Sequence, residues 1–165
     1  MHAHAALVDR LYRSLAAHDH AGMAACYHED ATFKDIAFDR RGRDKIHDMW
    51  KFVTRPEPGL TVTFEIVDAD DDQVTARLID HYTFTETGQL VDNAITSTFH
   101  FRDGLIIDHQ DVCDPVAWAN MAMTGPKAWL AGHSRPVRAL AANKKLREFL
   151  RKENERRREG SNSES

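Results

Sequence analysis

Cysteines and long apolar segments are both scarce in this chain of 165 residues. Its two cysteines, Cys26 and Cys113, lie far apart and outside any CxxC pattern, so the sequence indicates neither a disulfide framework nor a thiolate zinc site. No apolar run approaches the roughly 18 residues of a membrane span, and the N-terminus lacks the basic-then-apolar pattern of a secretory signal. We therefore expect reduced cysteines and a cytoplasmic protein.

An excess of basic charge is also missing from most of the chain. Residues 1–126 hold 11 Lys and Arg against 21 Asp and Glu, whereas residues 127–165 hold 11 against 5. An acidic body argues against nucleic acid as a partner. Glu148, Glu153 and Glu155 interrupt the positive face of the C-terminal segment, which argues against a membrane surface. This basic segment is expected to act as a lid, to pack on the body or to contact a second copy.

The remaining composition, 42% hydrophobic and 29% charged, is typical of one globular domain. Apolar periodicity predicts helices at 5–18, briefly after Asp19, at 44–53, beyond Pro115 with a break at Gly125-Pro126, and at 135–158. Strands are predicted at 31–35, 60–67, 73–85, 90–101 and 105–113. Asp103-Gly104 is a hairpin turn signal. The pattern predicts an α+β fold in which an antiparallel sheet packs on helices, with a disordered Ser-rich tail at 159–165.

Four segments resemble a known family. Residues 11–19 (LYRSLAAHD), 23–35 (MAACYHEDATFKD), 41–46 (RGRDKI) and 101–111 (FRDGLIIDHQD) are similar to the nuclear transport factor 2-like superfamily, in its branch of SnoaL-like polyketide cyclases and ketosteroid isomerases. The resemblance covers about residues 5–118. It implies a curved sheet wrapped on the N-terminal helices to form a cone-shaped pocket, and a homodimer. We accordingly assign residues 1–118 to the cone domain and 119–158 to a C-terminal helical extension.

The resemblance also implies which strand faces enter the pocket. Alternation places His109, Asp111 and Cys113 on one face of the last strand, and the resemblance points that face inward. The same reasoning assigns residues of the two preceding strands to the pocket: Leu78, Asp80, Tyr82, Phe84, Asn93, Ile95, Ser97 and Phe99. Asp35 stands where isomerases of the family have their proton-transferring carboxylate, and Asp111 is similar to the acid/base residue of the cyclases. These implications make Asp35, His109 and Asp111 the candidates for proton transfer.

The sequence departs from the isomerase pattern at two positions. Ser97 replaces the protonated acid of the oxyanion hole, and Leu11 replaces the tyrosine of the first helix, with Tyr12 one residue away. Tyr82 could supply a donor in their place, or tuck its hydroxyl against the backbone. Asp80 could pair with His109, or with the buried amide of Asn93.

Substrate-binding candidates form a second group: Trp50, Asp80, Tyr82, Asn93, Ser97, Phe99 and Trp118. Their aromatic members suit a flat or cyclic hydrophobic ligand, or alternatively simply fill the core. Ten histidines invite a metal site, but no spacing brings a strict set of two histidines and one carboxylate together, so we expect neither metal nor cofactor. The resulting hypothesis is acid/base isomerisation, cyclisation or hydration of a hydrophobic cyclic substrate. A non-catalytic module that binds ligands or proteins is the alternative.

Overall fold

Helices precede, interrupt and follow one sheet in residues 1–164, the part of the chain that the computed structural model describes. The helices are α1 (Ala3–Ala16), α2 (His20–Ala24), α3 (Arg43–Val53), α4 (Pro115–Ala122), α5 (Gly125–His133) and α6 (Arg135–Ser163). The strands are β1 (Tyr27–Lys34), β2 (Asp39–Arg41), β3 (Thr61–Ala69), β4 (Gln73–Phe84), β5 (Gln89–Arg102) and β6 (Leu105–Val112). The α+β class is therefore confirmed.

The six strands form one sheet in the order β2-β1-β6-β5-β4-β3. Every neighbouring pair is antiparallel except β1 and β6, which run parallel. The prediction of an antiparallel sheet is thus correct for four of five pairs, and the exception arises because a long stretch of chain separates these two strands. Register shifts between Ile66 and Asp68 and between His100 and Phe101 bend the long strands.

Local signals in the sequence place several element ends correctly. The Asp19 carboxylate accepts a hydrogen bond of 2.9 Å from the Gly22 N–H and caps α2. Asp103 (φ 52°) and Gly104 (φ 75°) both adopt the positive φ that the predicted hairpin turn between β5 and β6 requires. The sequence pattern does not predict the short strand β2. Its three residues carry too little apolar alternation to signal a strand.

The concave face of the sheet packs on α1, α2 and α3 through one apolar core. Large side chains that are fully buried include Leu11 and Tyr12 of α1, Ile46 and Met49 of α3, and Phe99 of β5. The apolar stripes that predict α1 and α3 are the surfaces that these helices bury.

The C-terminal extension packs against the body. α6 contacts α3 and α5, Leu146 is buried in the core, and the Phe149 ring lies 5.7 Å from that of Phe52.

The expected boundary at residue 118 falls inside α4, so a division there cuts a helix. Residues 159–163, predicted to be disordered, are the last residues of α6, whose exposed end carries the Arg151–Glu155 pair at helical spacing. Residue 165 lies outside the described part. No helix within 1–164 is both long and apolar enough to cross a membrane.

Arg138 links α6 by hydrogen bonds to the segment that follows β1 and to α5. Its guanidinium is buried and donates to the carbonyls of Ile36 (2.9 Å), Ala131 (2.7 Å) and Gly132 (3.2 Å). Beside it, Arg135 donates to the carbonyls of Asp35 and Phe38.

Replacing Arg138 by Met is expected to destabilise the protein by about 2 to 4 kcal/mol, because three carbonyls lose their donor. Urea denaturation followed by circular dichroism measures the change. Arg147→Met, on an exposed position of the same helix, is the matched control and should stay within about 0.5 kcal/mol of the parent. Equal stability of the two variants would show that the Arg138 contacts do not anchor the helix.

Candidate functional site

An apolar cavity of about 410 Å³ lies between the open end of the sheet, α3 and the C-terminal extension. Strand β4 contributes Leu78, Asp80, Tyr82 and Phe84, and α3 contributes Met49, Trp50 and Val53. The extension forms the opposite wall with Leu130 and Ala131 of α5 and with Val137, Arg138, Ala141 and Ala142 of α6. A space of this size and polarity suits a small hydrophobic molecule.

Asp80 lines the cavity with a buried carboxyl oxygen, Oδ1, that no protein group bonds within residues 1–164. It lies on β4 opposite Asn93 of β5. Burial raises the pKa of Asp80 from 3.8 to about 7, and the charges of Asp111 and Asp35 add to the increase. A large fraction of the molecules therefore have a protonated Asp80 at neutral pH.

Asp35 lies at the end of β1 and lines the same cavity. Its Oδ1 accepts hydrogen bonds from the N–H groups of Ala37 (2.7 Å) and Phe38 (2.6 Å), which form a tight turn after the strand. Burial raises the pKa of Asp35 to about 6, and the charge of Asp111 adds to the effect, whereas the two hydrogen bonds and Arg135 oppose it.

Asp111 lines the cavity from β6 and is held from behind by a chain of buried groups. Its Oδ1 accepts hydrogen bonds from Ser97 Oγ (2.6 Å) and His109 Nε2 (2.7 Å). The other ring nitrogen, His109 Nδ1, lies 2.8 Å from the Tyr27 hydroxyl, which accepts a hydrogen bond of 3.2 Å from Trp50 Nε1. Burial raises the pKa of Tyr27 well above its ordinary value, so the hydroxyl keeps its proton and can donate it to Nδ1.

This chain of contacts assigns the histidine tautomer. Nδ1 of His109 faces a hydroxyl donor and Nε2 faces a carboxylate acceptor, so a neutral ring with its proton on Nε2 satisfies every group. His109 is completely inaccessible, with the rings of Phe99 and Phe33 centred 4.2 Å and 4.8 Å from its own. The histidine therefore orients Asp111 and does not itself reach a ligand in the cavity.

Seven of the site residues proposed from the sequence line the cavity: Asp35, Trp50, Asp80, Tyr82, Asn93, Asp111 and Trp118. Three do not, namely Ser97, Phe99 and His109, which are fully buried beneath it. They share a strand face with lining residues but lie deeper in the fold, where side chains close the cone. The structure therefore does not bring the side chains of His109, Ser97 and Phe99 to the surface of the cavity.

Two alternatives left open by the sequence are also decided. Asp80 does not pair with His109, which bonds Asp111 instead. The Tyr82 hydroxyl does not turn to the backbone; it accepts a hydrogen bond of 2.7 Å from Trp118 Nε1. Burial raises the pKa of Tyr82 to about 12, although the Trp118 contact opposes the increase.

Sequence reasoning missed Tyr27 and the cavity residues of the extension. Tyr27 begins β1, and only the parallel pairing of β1 with β6 brings it to His109. The extension lies outside the resemblance, and its apolar stripe signals burial without naming the surface that it covers.

Metal ligation finds no support in the described residues. No group of three or more His, Cys, Asp or Glu side chains in 1–164 has a geometry that could hold a metal ion. A pair of histidines is in direct contact: Nδ1 of His20 on α2 lies 2.8 Å from Nε2 of His47 on α3, and neither residue lines the cavity.

Comparison with protein families gives one match. The model of the SnoaL-like domain matches residues 8–109, so the matched region ends before α4. No curated protein matches the chain at a significant level.

Many solved structures share the fold at low sequence identity. A nuclear transport factor 2-like protein of unknown function from Burkholderia pseudomallei has a TM-score of 0.64 at 12% identity, covering 75% of this chain and 100% of that one. Mycobacterium tuberculosis RV0760c, in complex with estradiol-17beta-hemisuccinate, has a TM-score of 0.57 at 19% identity and coverages of 67% and 93%. An LEH-like epoxide hydrolase of M. tuberculosis has a TM-score of 0.58 at 16% identity and coverages of 72% and 87%.

Proposed function

The chain belongs to the SnoaL-like domain family of the nuclear transport factor 2-like superfamily, and from this premise we propose that it is an enzyme of acid/base chemistry on a hydrophobic cyclic substrate. The observation that carries the proposal is the presence of three aspartate carboxyls, Asp35, Asp80 and Asp111, in one apolar cavity and in different environments. A fourth carboxyl, Glu86, is paired with Lys145. Pairs of carboxyls whose surroundings separate their proton affinities provide an acid and a base at the same pH.

Asp111 is proposed as the base and Asp80 as the acid. Two hydrogen bonds on Oδ1 orient Asp111, and no group in residues 1–164 bonds its Oδ2. The charge of Asp111 helps to keep Asp80 protonated. Asp35 adds a further charge that raises the pKa of Asp80. His109 is a positioning residue in this scheme.

For a cyclic ketone, the proposed step is enolisation. Oδ2 of Asp111 removes a proton from the carbon next to the carbonyl, and the C–H electron pair becomes a C=C bond. The carbonyl π pair moves to oxygen, which takes the proton of Asp80 or a hydrogen bond from it. For a β,γ-unsaturated ring, the first proton returns from Asp111 to the γ-carbon while the enol oxygen gives its proton back to Asp80, which completes an isomerisation. For a cyclisation, the enol carbon forms a C–C bond to a second carbonyl carbon, the enol proton returns to Asp80, and the new alkoxide takes the proton held by Asp111.

The lining of the cavity supports the proposed class of substrate, a hydrophobic cyclic molecule. Aromatic rings of Phe33, Trp50, Phe84 and Trp118 provide flat apolar walls. Among proteins of the same fold, one is in complex with a steroid ester and one is an epoxide hydrolase. Hydration of a cyclic epoxide would use the same pair, with Asp111 activating water and Asp80 protonating the opening oxygen.

Exchange of the α-protons of 2-tetralone in deuterated water tests the proposal without knowledge of the natural substrate. NMR should show exchange that the wild-type chain accelerates and that the double variant Asp80→Asn/Asp111→Asn does not. An opening assay with cyclohexene oxide covers the hydration branch. If wild type and double variant behave alike in both assays, the proposed enzyme activity is wrong.

A non-catalytic ligand-binding module is the second candidate. The enclosed His109 and the turn around Asp35 favour it, since both side chains satisfy partners inside the protein. Ligand binding without acceleration in either assay would select this candidate.

The homodimer and the cytoplasmic location stay predictions. Ile79 of β4 and Val112 of β6 are exposed apolar residues on the two strands that flank β5, a surface that a second copy could cover.

A further inference from the structure

The three aspartates of the cavity have carboxyl oxygens to which no protein group in the described part of the chain donates a hydrogen bond. Asp80 receives no hydrogen bond within residues 1–164, and its Oδ1 is buried. Asp35 and Asp111 each use only Oδ1. Lining residues with uncharged donors include Tyr82, Thr83, Thr85, Asn93 and Cys113, and none of them donates to Asp80. A ligand that satisfies Asp80 must therefore bring a donor of its own.

The cations of the protein do not neutralise these carboxyls through direct contacts. Four cationic residues line the cavity: Arg55, Lys127, Arg138 and Lys145. Arg138 donates to backbone carbonyls, Lys145 pairs with Glu86, and Arg55 bonds the Phe52 carbonyl. Lys127 is exposed on α5. Within residues 1–164, none of the four forms an ion pair with Asp35, Asp80 or Asp111.

We propose that the cavity binds hydrophobic amines in their ammonium form, with the N–H groups donating to Asp80 and Asp111. A cyclic hydrocarbon skeleton fits the apolar walls and the volume of about 410 Å³. The rings of Tyr82 and Trp118 add attraction for a cation beside the carboxyls. Binding does not require turnover, so the inference stands apart from the proposed enzyme activity.

Ligand charge and cavity protonation are linked. An ammonium ion takes the place of a proton that Asp80 or Asp35 would otherwise hold. Among the other groups that face these carboxyls, burial raises the pKa of Tyr82 and of Cys113 and keeps both neutral. Arg135 and Arg138 donate to backbone carbonyls and not to the carboxylates. Affinity for an amine should therefore rise with pH as the two carboxyls lose their protons.

Isothermal titration of the full chain with 1-aminoadamantane and 1-adamantanol tests the inference, because the two probes differ only in the polar group. The amine is expected to bind at least about tenfold more tightly than the alcohol at about pH 8, and about tenfold more tightly at pH 8 than at pH 5. Titrations at about pH 6 in two buffers of different ionisation enthalpy should reveal proton release for the amine alone. Adamantane-1-carboxylate should bind most weakly of the probes.

Asp80→Asn should remove most of the preference for the amine, whereas Asp68→Asn, an equal change of charge on an exposed position of β3, should leave it intact. Melting curves of both variants establish that they are folded. Equal affinity for amine and alcohol at pH 8, or tighter binding of the carboxylate, would overturn the inference. Absence of acceleration by the wild-type chain in both the exchange and the epoxide-opening assays, with amine binding intact, would reject only the enzyme proposal.

Discussion

Asp80→Asn should make the protein more stable at about pH 8 while leaving its stability near pH 4 almost unchanged. The pKa of this carboxyl is about 7 in the folded protein and 3.8 ordinarily, so between these values the folded state holds more protons than the unfolded state. Stability therefore falls as pH rises through this window. By pH 8 the folded protein carries a buried charge that asparagine does not have.

The two pKa values set an upper limit of about 4 kcal/mol on the gain, and the coupling of Asp80 to Asp111 and Asp35 makes about 2 to 4 kcal/mol the expected range. Urea denaturation at both pH values measures it. Asp68→Asn supplies the control for surface charge and should shift neither curve by more than about 0.5 kcal/mol. Destabilisation of Asp80→Asn at pH 8 would mean that a partner compensates the charge of Asp80.

The same substitution should slow proton transfer by about 100-fold or more, because the acid of the proposed step is lost. Greater stability together with lower turnover is the combination expected where a carboxyl is buried for chemistry. A variant that gains stability and keeps its exchange rate would remove Asp80 from the proposed mechanism.

The sequence predicts the fold well because the local signals agree with the long-range order. Helical stripes, strand alternation and the Asp103-Gly104 turn each act within a few residues, and each appears where expected. Pairing between β1 and β6 joins residues some 80 positions apart, such as Tyr27 and His109, and no local pattern specifies it.

The candidate site shows where strand alternation stops being informative. Alternation gives the face of a residue but not its depth in the cone. Asp111 and His109 share one face of β6, yet Asp111 reaches the cavity and His109 lies under it. Across the ladder, Phe99 lies opposite His109 and fills the closed end as well, whereas Ser97 lies opposite Asp111 and is fully buried behind its carboxylate. Depth depends on which bulky side chains meet, as Phe33 and Phe99 do around the histidine.

Asp111→Asn should reduce the rate of α-proton exchange by about 10² to 10⁴-fold, because the proposed base becomes an amide. The substitution is conservative in shape, and the amide oxygen can still accept hydrogen bonds from Ser97 and His109. The fold should therefore survive, which a melting curve checks. Exchange within about tenfold of wild type would rule out Asp111 as the base.

Tyr27→Phe separates the positioning chain from the base. It removes the hydroxyl that faces His109 Nδ1 but leaves both contacts to Asp111 Oδ1 in place. If the chain only orients the carboxylate, the exchange rate should fall by about tenfold or less, because Asp111 keeps both of its hydrogen bonds. An exchange rate equal to that of wild type would show that Tyr27 supports packing alone, whereas a loss as large as that of Asp111→Asn would place the histidine itself in the proton transfer.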